Sequence, residues 1–246
     1  MKENARKRSL QVYRLSRWFW TGLDWLYPPS CGGCNRQGVR WCEQCNSSTA
    51  LLTSPICPIC GKGLKNTHLC ADCRSTPPHF EALRSWAVYG GPLREAILRL
   101  KYKRDMALGE ALSRPMISRL QSLQWSVDMI IPVPLGVDRY VERGYNQAAL
   151  LARPLSQATQ ISYSPKGLVR VRETRSQVDL TASERKLNMR GAFHARGEWV
   201  RGRTVLVVDD VATSGATIDA CGAALLEAGA AHVYGLTLAR TQLKTS

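Results

Sequence analysis

Val205-Leu-Val-Val-Asp209-Asp210-Val-Ala-Thr213-Ser214-Gly215-Ala216-Thr217 is the stretch on which the reading of this chain turns. Its first four residues are apolar and mostly β-branched, which fits a strand buried on both faces. Two adjacent carboxylates end it and a small, hydroxyl-rich loop follows. Apolar spacing then predicts a helix from about Thr217 to Ala228, with Gly229 where a C-terminal cap glycine belongs. In open α/β sheets, ligands bind beyond the carboxyl ends of the strands. Loop amides, hydroxyls and a helix dipole can hold a phosphate there, and Gly215 allows close backbone approach. Asp209 and Asp210 are placed to accept hydrogen bonds from vicinal ribose hydroxyls. An acid pair that merely caps a loop is the plainer alternative, and the complete strand–loop–helix pattern weighs against it.

Working outward, the pattern stays α/β. Arg84–Tyr89 reads as a strand, Leu93–Tyr102 as a helix, and a second helix surrounds Ala107–Leu123. Met129–Val133 is a short apolar run marked by prolines and reads as a buried parallel strand, Tyr145–Ala158 is helical by its spacing, and Val233–Leu238 supplies a further strand. Strands alternating with helices imply a mainly parallel sheet with flanking helices. The basic stretch from Arg170 to Arg203 reads as a strand end followed by a polar loop.

Towards the N-terminus the sequence changes character. Cys31-Gly-Gly-Cys34, Cys42-Glu-Gln-Cys45, Cys57-Pro-Ile-Cys60 and Cys70-Ala-Asp-Cys73 form an internal duplication, C-x7-C between the first two pairs and C-x9-C between the last two. Two residues between cysteines let both sulfurs face one metal from a tight turn, and two such knuckles complete a tetrahedron. Eight thiolates therefore match two closed, structural Zn²⁺ sites. Gly33 and Gly61 stand where unusual backbone angles are needed at low cost. Sequential pairing follows from the duplication, and an interleaved cross-brace is the other arrangement. A disulfide framework and an Fe–S cluster are the competing readings of the same cysteines. His68 is surplus to the ligand count, and Cys221 reads as a core residue.

The 246 residues carry a formal charge of +15, which points to an anionic partner without choosing among nucleic acid, a pyrophosphorylated sugar and an anionic membrane. Two Zn²⁺ on eight thiolates would reduce it to roughly +11. No run approaches the ~18–20 apolar residues of a membrane span, and the reading places the chain in the cytoplasm, where thiols stay reduced. Residues 1–28 are a basic arm rich in aromatics (Trp18, Phe19, Trp20, Trp25, Tyr27). Packing on the rest of the protein is the plainer use for them, and docking to a membrane surface or partner the sharper one.

The Asp209–Thr217 loop resembles the site that binds phosphoribosyl pyrophosphate (PRPP) in type I phosphoribosyltransferases. The resemblance implies ribose contacts and a catalytic role for Asp209 and Asp210, and PRPP contacts along Val211, Ala212, Thr213, Ser214, Gly215, Ala216 and Thr217. It also implies Mg²⁺ bridging pyrophosphate and ribose oxygens. Further segments narrow the likeness: Ile131-Pro-Val-Pro134-Leu135, Arg139, Arg143-Gly-Tyr-Asn-Gln147, then Arg170, Arg172, Thr174, Gln177, Leu180, Arg185, Asn188, Ala192 and Phe193. With the cysteine module in front, this ordered set is similar to the ComF family, whose enterobacterial relatives are also called GntX. The resemblance implies a double zinc-ribbon domain over 29–78 and a phosphoribosyltransferase-like domain over 79–246. Pro134, Leu135, Arg139, Arg143, Arg172, Arg175 and Arg185 are candidates for the pyrophosphate or its closing loop.

The family is associated with competence, uptake of single-stranded DNA and use of DNA as a nutrient, so single-stranded DNA and uptake proteins are the implied partners. Two alternatives stand beside a PRPP-binding protein in DNA uptake. One is a non-catalytic nucleic-acid adaptor, with Tyr140 and Tyr145 as candidate stacking residues. The other is a salvage transferase of unknown acceptor. No segment reads as a hood that recognises a particular base, and retention of the loop speaks for binding rather than for turnover.

Overall fold

The computed structural model describes residues 28–53, 55–66, 68–172 and 182–242. In chain order the elements are α1 (Glu43–Ser47), α2 (Ala71–Ser75), β1 (Ala82–Val88), α3 (Gly91–Tyr102), α4 (Leu108–Leu123), β2 (Met129–Pro132), α5 (Val137–Arg143), α6 (Gln147–Thr159), β3 (Ser162–Tyr163), β4 (Leu168–Arg170), α7 (Ala182–Met189), β5 (Phe193–Ala195), α8 (Gly197–Val200), β6 (Thr204–Ala212), α9 (Ala216–Glu227) and β7 (His232–Arg240). Five strands form a parallel sheet in the order β1-β7-β6-β2-β3, and β4 pairs antiparallel with β5 beside it.

β6 lies at the centre of the sheet and shows why a continuous apolar run was required. Val205 and Val207 enter the core on one face, with Ile218, Cys221 and Leu225 of α9. Leu206 and Val208 enter the other, with Leu93 and Ile97 of α3, Leu112 and Met116 of α4, and Leu151 and Leu155 of α6. Alternation along a strand sends neighbours to opposite faces, and here both faces are covered. Cys221 is fully buried, as its reading as a core residue required.

Two segments differ from the sequence reading. β6 continues through Ala212, so Asp209 and Asp210 lie within the strand rather than after it. β7 supplies the reason: it pairs with β6 as far as Ala212 opposite Arg240, which holds the polar residues extended. The Arg170–Arg203 stretch, read as a strand end and a polar loop, ends β4 as expected but contains α7, β5 and α8 among its described residues. Its charge density concealed the buried anchors Met189, Ala192 and Phe193. The aromatic arm, Thr174, Arg175, Gln177 and Leu180 lie outside the described residues.

Candidate functional site

Each half of the acid pair is built from a different side of the sheet. Asp210 shares the face of Leu206 and Val208, where α3 and α6 pack. Lys101, in the last turn of α3, pairs its ammonium with Asp210 Oδ2, and Gln147 Nε2 donates to Asp210 Oδ1 at 3.3 Å. Asp209 faces the α9 side and accepts the Asp210 amide at 2.9 Å. Both carboxylates are buried, at 9% and 3% exposure, and their titration separates. Burial raises Asp209 well above the ordinary carboxylate range, and the neighbouring Asp210 adds to the rise. Burial acts the same way on Asp210, but the Lys101 charge and the hydrogen bonds of Asp209, Lys101 and Gln147 together outweigh it and the pKa falls. Lys101 in turn is raised, because Asp210 offsets the desolvation of its ammonium. The two acids of the pair are therefore displaced in opposite directions.

The loop after β6 turns tightly into α9. Gly215 is the N-cap of α9 with φ 87°, a left-handed conformation that favours glycine. Its carbonyl accepts the Asp219 amide at 2.9 Å, closing the first helical turn, and Ser214 Oγ accepts from the Ala216 amide at 3.4 Å. Twelve residues of α9 then direct their positive dipole end at this loop. Farther along, His79 donates its amide to Asp219 Oδ1 at 2.7 Å. Gly222 leaves space for the His79 carbonyl, which a Cβ would meet at 1.9 Å. The linker from the cysteine module is thus clamped on α9.

The remaining candidates divide. Pro134 and Leu135 lie in the turn between β2 and α5, and Arg139 is on α5. Arg143 is tied to the acid pair through its hydrogen bond to Gln147 Oε1, and its guanidinium lies 5.5 Å from the ring centre of Tyr102. Arg172 is directed elsewhere: its Nη2 donates to the carbonyls of Asn188 and Arg190 at 2.8 and 2.6 Å, bracing the β4–β5 connection. Arg185 lies on α7 with its side chain outside the described part. Tyr145, a candidate for stacking, is buried and donates to the Leu100 carbonyl at 2.5 Å, which leaves Tyr140 exposed alone of the two. Lys101 and Gln147 were not singled out for the acid pair by the sequence reading. Lysine in a basic chain carries no signal, and only the packing of α3 against β6 brings it to Asp210.

The eight cysteines gather sequentially, Cys31, Cys34, Cys42 and Cys45 in one cluster and Cys57, Cys60, Cys70 and Cys73 in the other, so the cross-brace is set aside. Sulfur–sulfur separations are 3.6 Å for Cys31–Cys45 and 3.7 Å for Cys34–Cys42 and Cys60–Cys70. Tetrahedral zinc with bonds of about 2.3 Å requires sulfurs about 3.8 Å apart, so both sets fit zinc. Cys42 and Cys70 cap α1 and α2, their sulfurs accepting the amides of Cys45 and Cys73 at 3.5 and 3.4 Å. At Cys31, burial opposes ionisation, but the amides of Cys42 and Cys34 outweigh it and bring the thiol to about 6. His68 is exposed and belongs to neither cluster. Gly61 has the expected positive φ, 72°, but Asn35 (φ 63°) takes the corresponding role in the first knuckle. Gly33 is needed for space instead, since a Cβ there would meet Pro92 at 2.7 Å and the Cys45 sulfur at 2.9 Å.

Both cysteine modules are fastened to the α/β domain by arginines that donate to knuckle carbonyls. Arg99 of α3 reaches Cys31 O at 3.1 Å and also holds Asn35 and Asp105. Arg84 of β1 reaches Pro58 O at 2.7 Å, and Arg240, 4% exposed at the end of β7, reaches Cys60 O at 2.7 Å. Burial lowers the Arg240 pKa, and the sulfurs of Cys60 and Cys70 work in the opposite direction.

Comparison with known proteins agrees with this architecture. A family model described as a double zinc ribbon domain matches residues 22–74, and one described as a phosphoribosyl transferase domain matches residues 102–242. The chain is 36% identical over 229 residues to the DNA utilization protein YhgH of Escherichia coli (strain K12), a span of 89% of this chain and 97% of that protein. It is 30% identical over 208 residues to competence protein ComFC of Bacillus subtilis (strain 168), covering 81% and 84% of the two chains. With competence protein F of Haemophilus influenzae (strain ATCC 51907 / DSM 11121 / KW20 / Rd) it shares 29% identity over 219 residues, 85% and 90% of the two. The tandem order of the two matched domains, and relatives alike along nearly their whole length, show that the chain belongs to the ComF family, in which a double zinc ribbon precedes a phosphoribosyltransferase domain.

Proposed function

We propose that this protein binds PRPP or a related phosphosugar with Mg²⁺ and acts in DNA uptake or utilisation. The observation that carries the reading is the buried Asp209–Asp210 pair on the central strand, joined directly to a glycine-capped helix N-terminus. Amides and hydroxyls of Thr213–Thr217 receive the 5′-phosphate, and the two carboxylates receive the ribose hydroxyls. Lys101 keeps Asp210 ionised, so that it accepts hydrogen bonds and supports positive charge developing on the ribose ring. Arg143, with Pro134 and Leu135, faces the pyrophosphate side. Mg²⁺, when bound with the ligand, would neutralise charge on the leaving pyrophosphate. The DNA connection rests on the names of the relatives and on the net charge of +15.

Calorimetric titration of the zinc-loaded protein with PRPP and Mg²⁺ tests the reading. Binding that disappears in the Asp209→Asn/Asp210→Asn variant is expected, and unchanged affinity in that variant would sink it.

A second activity is favoured by a cavity of about 1000 Å³ between the first ribbon and α4, lined by Trp41, Trp86, Arg114 and Arg119 among others. Tryptophan and arginine side chains lining one cavity suit single-stranded nucleic acid. Binding of an unlabelled oligonucleotide should weaken steeply with salt and lose affinity in Trp41→Ala.

A further inference from the structure

Five consecutive residues, Arg143-Gly-Tyr-Asn-Gln147, span the junction of α5 and α6, and their contacts reach three other elements of the site. Gly144 ends α5 at φ 82°, a left-handed turn that redirects the chain. The Tyr145 hydroxyl donates to the Leu100 carbonyl of α3, one residue before Lys101. Asn146 caps α6, its Oδ1 accepting the Ala148 amide at 2.9 Å, while its Nδ2 donates to the Val133 carbonyl at 2.9 Å. The Val133 amide donates in turn to the Val208 carbonyl of β6 at 2.9 Å, so the turn that carries Pro134 and Leu135 is pinned from both sides.

Gln147 closes the set. It is buried, and its one amide serves two partners: Nε2 donates to Asp210 Oδ1 at 3.3 Å, and Oε1 accepts from the Arg143 guanidinium. These roles fix which way the amide points, since an ionised carboxylate only accepts and a guanidinium only donates. A glutamate here would repel Asp210, and a methionine would satisfy neither partner. Two hydrogen bonds and one amide group put the guanidinium within about 9 Å of Asp210 Oδ1. That reach suits a sugar hydroxyl on Asp210 and a pyrophosphate on the neighbouring ring carbon. Asp210 has a second hold, because Lys101 pairs with its Oδ2. Arg143 otherwise lies over the exposed ring of Tyr102.

We infer that Gln147 is a positioning residue that couples the two ends of the phosphosugar site: its amide holds Arg143, at the pyrophosphate end, in register with Asp210, at the ribose end. This rests on the phosphosugar reading above. The two ends respond unequally when the amide is lost. Arg143 keeps its charge but loses its direction, so the pyrophosphate end fails. Asp210 stays in place through Lys101, so the ribose end persists. A merely structural role for Gln147, as the first residue of α6, would weaken both ends alike.

The test titrates PRPP and ribose 5-phosphate, which lacks the pyrophosphate, into the zinc-loaded full-length protein at fixed Mg²⁺. The parent protein should bind PRPP at least about tenfold tighter, the contribution of one charged contact. Gln147→Met should erase most of that advantage while ribose 5-phosphate affinity changes by no more than about threefold. Gln147→Asn, too short to reach both partners, should act the same way at less risk to the fold, with zinc content and Tm as checks. Arg143→Met should remove the same advantage, and the Arg143→Met/Gln147→Met double variant no more than either alone. Gln147→Glu should recover much of the advantage, because its carboxylate still accepts from Arg143. Equal losses for the two ligands in Gln147→Met and Gln147→Asn, or losses that add in the double variant, overturn the inference. So does a parent protein that binds both ligands equally, and in each of these cases the phosphosugar reading stands. Failure of PRPP itself to bind removes both.

Discussion

The two ribbons come from one duplicated pattern, yet the protein uses them differently. The first grips α3: Gly32 packs on Ala96 and Leu108, and Arg99 ties Cys31 to Asp105. Two residues after Arg99, the same helix delivers Lys101 to Asp210. The second grips β1 and β7, and through Arg240 it stands beside the loop that leaves β6. One ribbon thus buttresses the acid pair from a distance, whereas the other borders the cavity beside the loop that leaves β6. Burial follows the same division. Cys34 of the first cluster is exposed, and all four cysteines of the second are buried. A duplicated motif specifies two metal sites, but what each site does depends on the surface it lands on.

The sharpest way to break this comparison is to remove one metal at a time. Cys70→Ser should cost the second zinc and at least about 5 kcal/mol, a fall in Tm of roughly 10 °C or more in a chain of this size. Cys34→Ser should likewise lower zinc content from two to one but shift Tm much less. Equal losses in the two variants would show that the ribbons are energetically alike.

Next come the ionic contacts at the ends of the two routes. Lys101→Met leaves Asp210 buried without its cation, for an expected loss of about 3–5 kcal/mol in urea denaturation. Arg240→Met strands the Cys60 carbonyl and removes a cation beside the second sulfur cluster, at about 2–3 kcal/mol. Arg99, partly exposed, should cost less on the same substitution. If Arg99→Met proves the more damaging, the division between an embedded and a peripheral ribbon fails.

The smallest expected effect has the opposite sign. The raised pKa of Asp209 means that its contribution to stability is full below the unfolded carboxylate value of about 3.9 and is lost as pH climbs through the folded value. Asp209→Asn should therefore raise Tm by a few degrees at pH 8 and leave it unchanged near pH 4. Asp210, lowered by Lys101, stabilises above about 3.9 and loses that contribution as pH falls through its folded value. Asp210→Asn should lower Tm at pH 8. Matching responses from the two variants would disprove the asymmetry of the pair.

Much of this arrangement was legible in the sequence where a residue type carries its own chemistry. Cysteine spacing gave the metal clusters, and the apolar run before Asp209 gave the central strand. Gly229 marked the C-terminal end of α9, whereas its start, expected at about Thr217, lies at Ala216 with Gly215 as the N-cap. Three things were not legible. Lys101 and Arg240 are ordinary cations until α3 and β7 fold them beside partners more than a hundred residues away in the sequence, at Asp210 and Cys60. The extent of β6 depended on pairing with β7, and no local propensity predicts that Asp209–Ala212 should stay extended. The contacts of Arg172 with Asn188 and Arg190 required α7, whose charged sequence lacks a continuous apolar stripe.

The pairing of β1 with β7 also sets an order of events during synthesis. The ribbons emerge from the ribosome first, but the strand that receives Arg84, and the guanidinium that caps Cys60, await the last strand of the described chain. Ser85 and Thr237 meet at 2.6 Å across 152 residues of sequence. Contacts of such separation close late and slow the final folding step. A nascent chain halted before β7 should therefore carry a second ribbon that lacks its Arg240 contact, and proteolysis of such stalled chains should cut between that ribbon and β1.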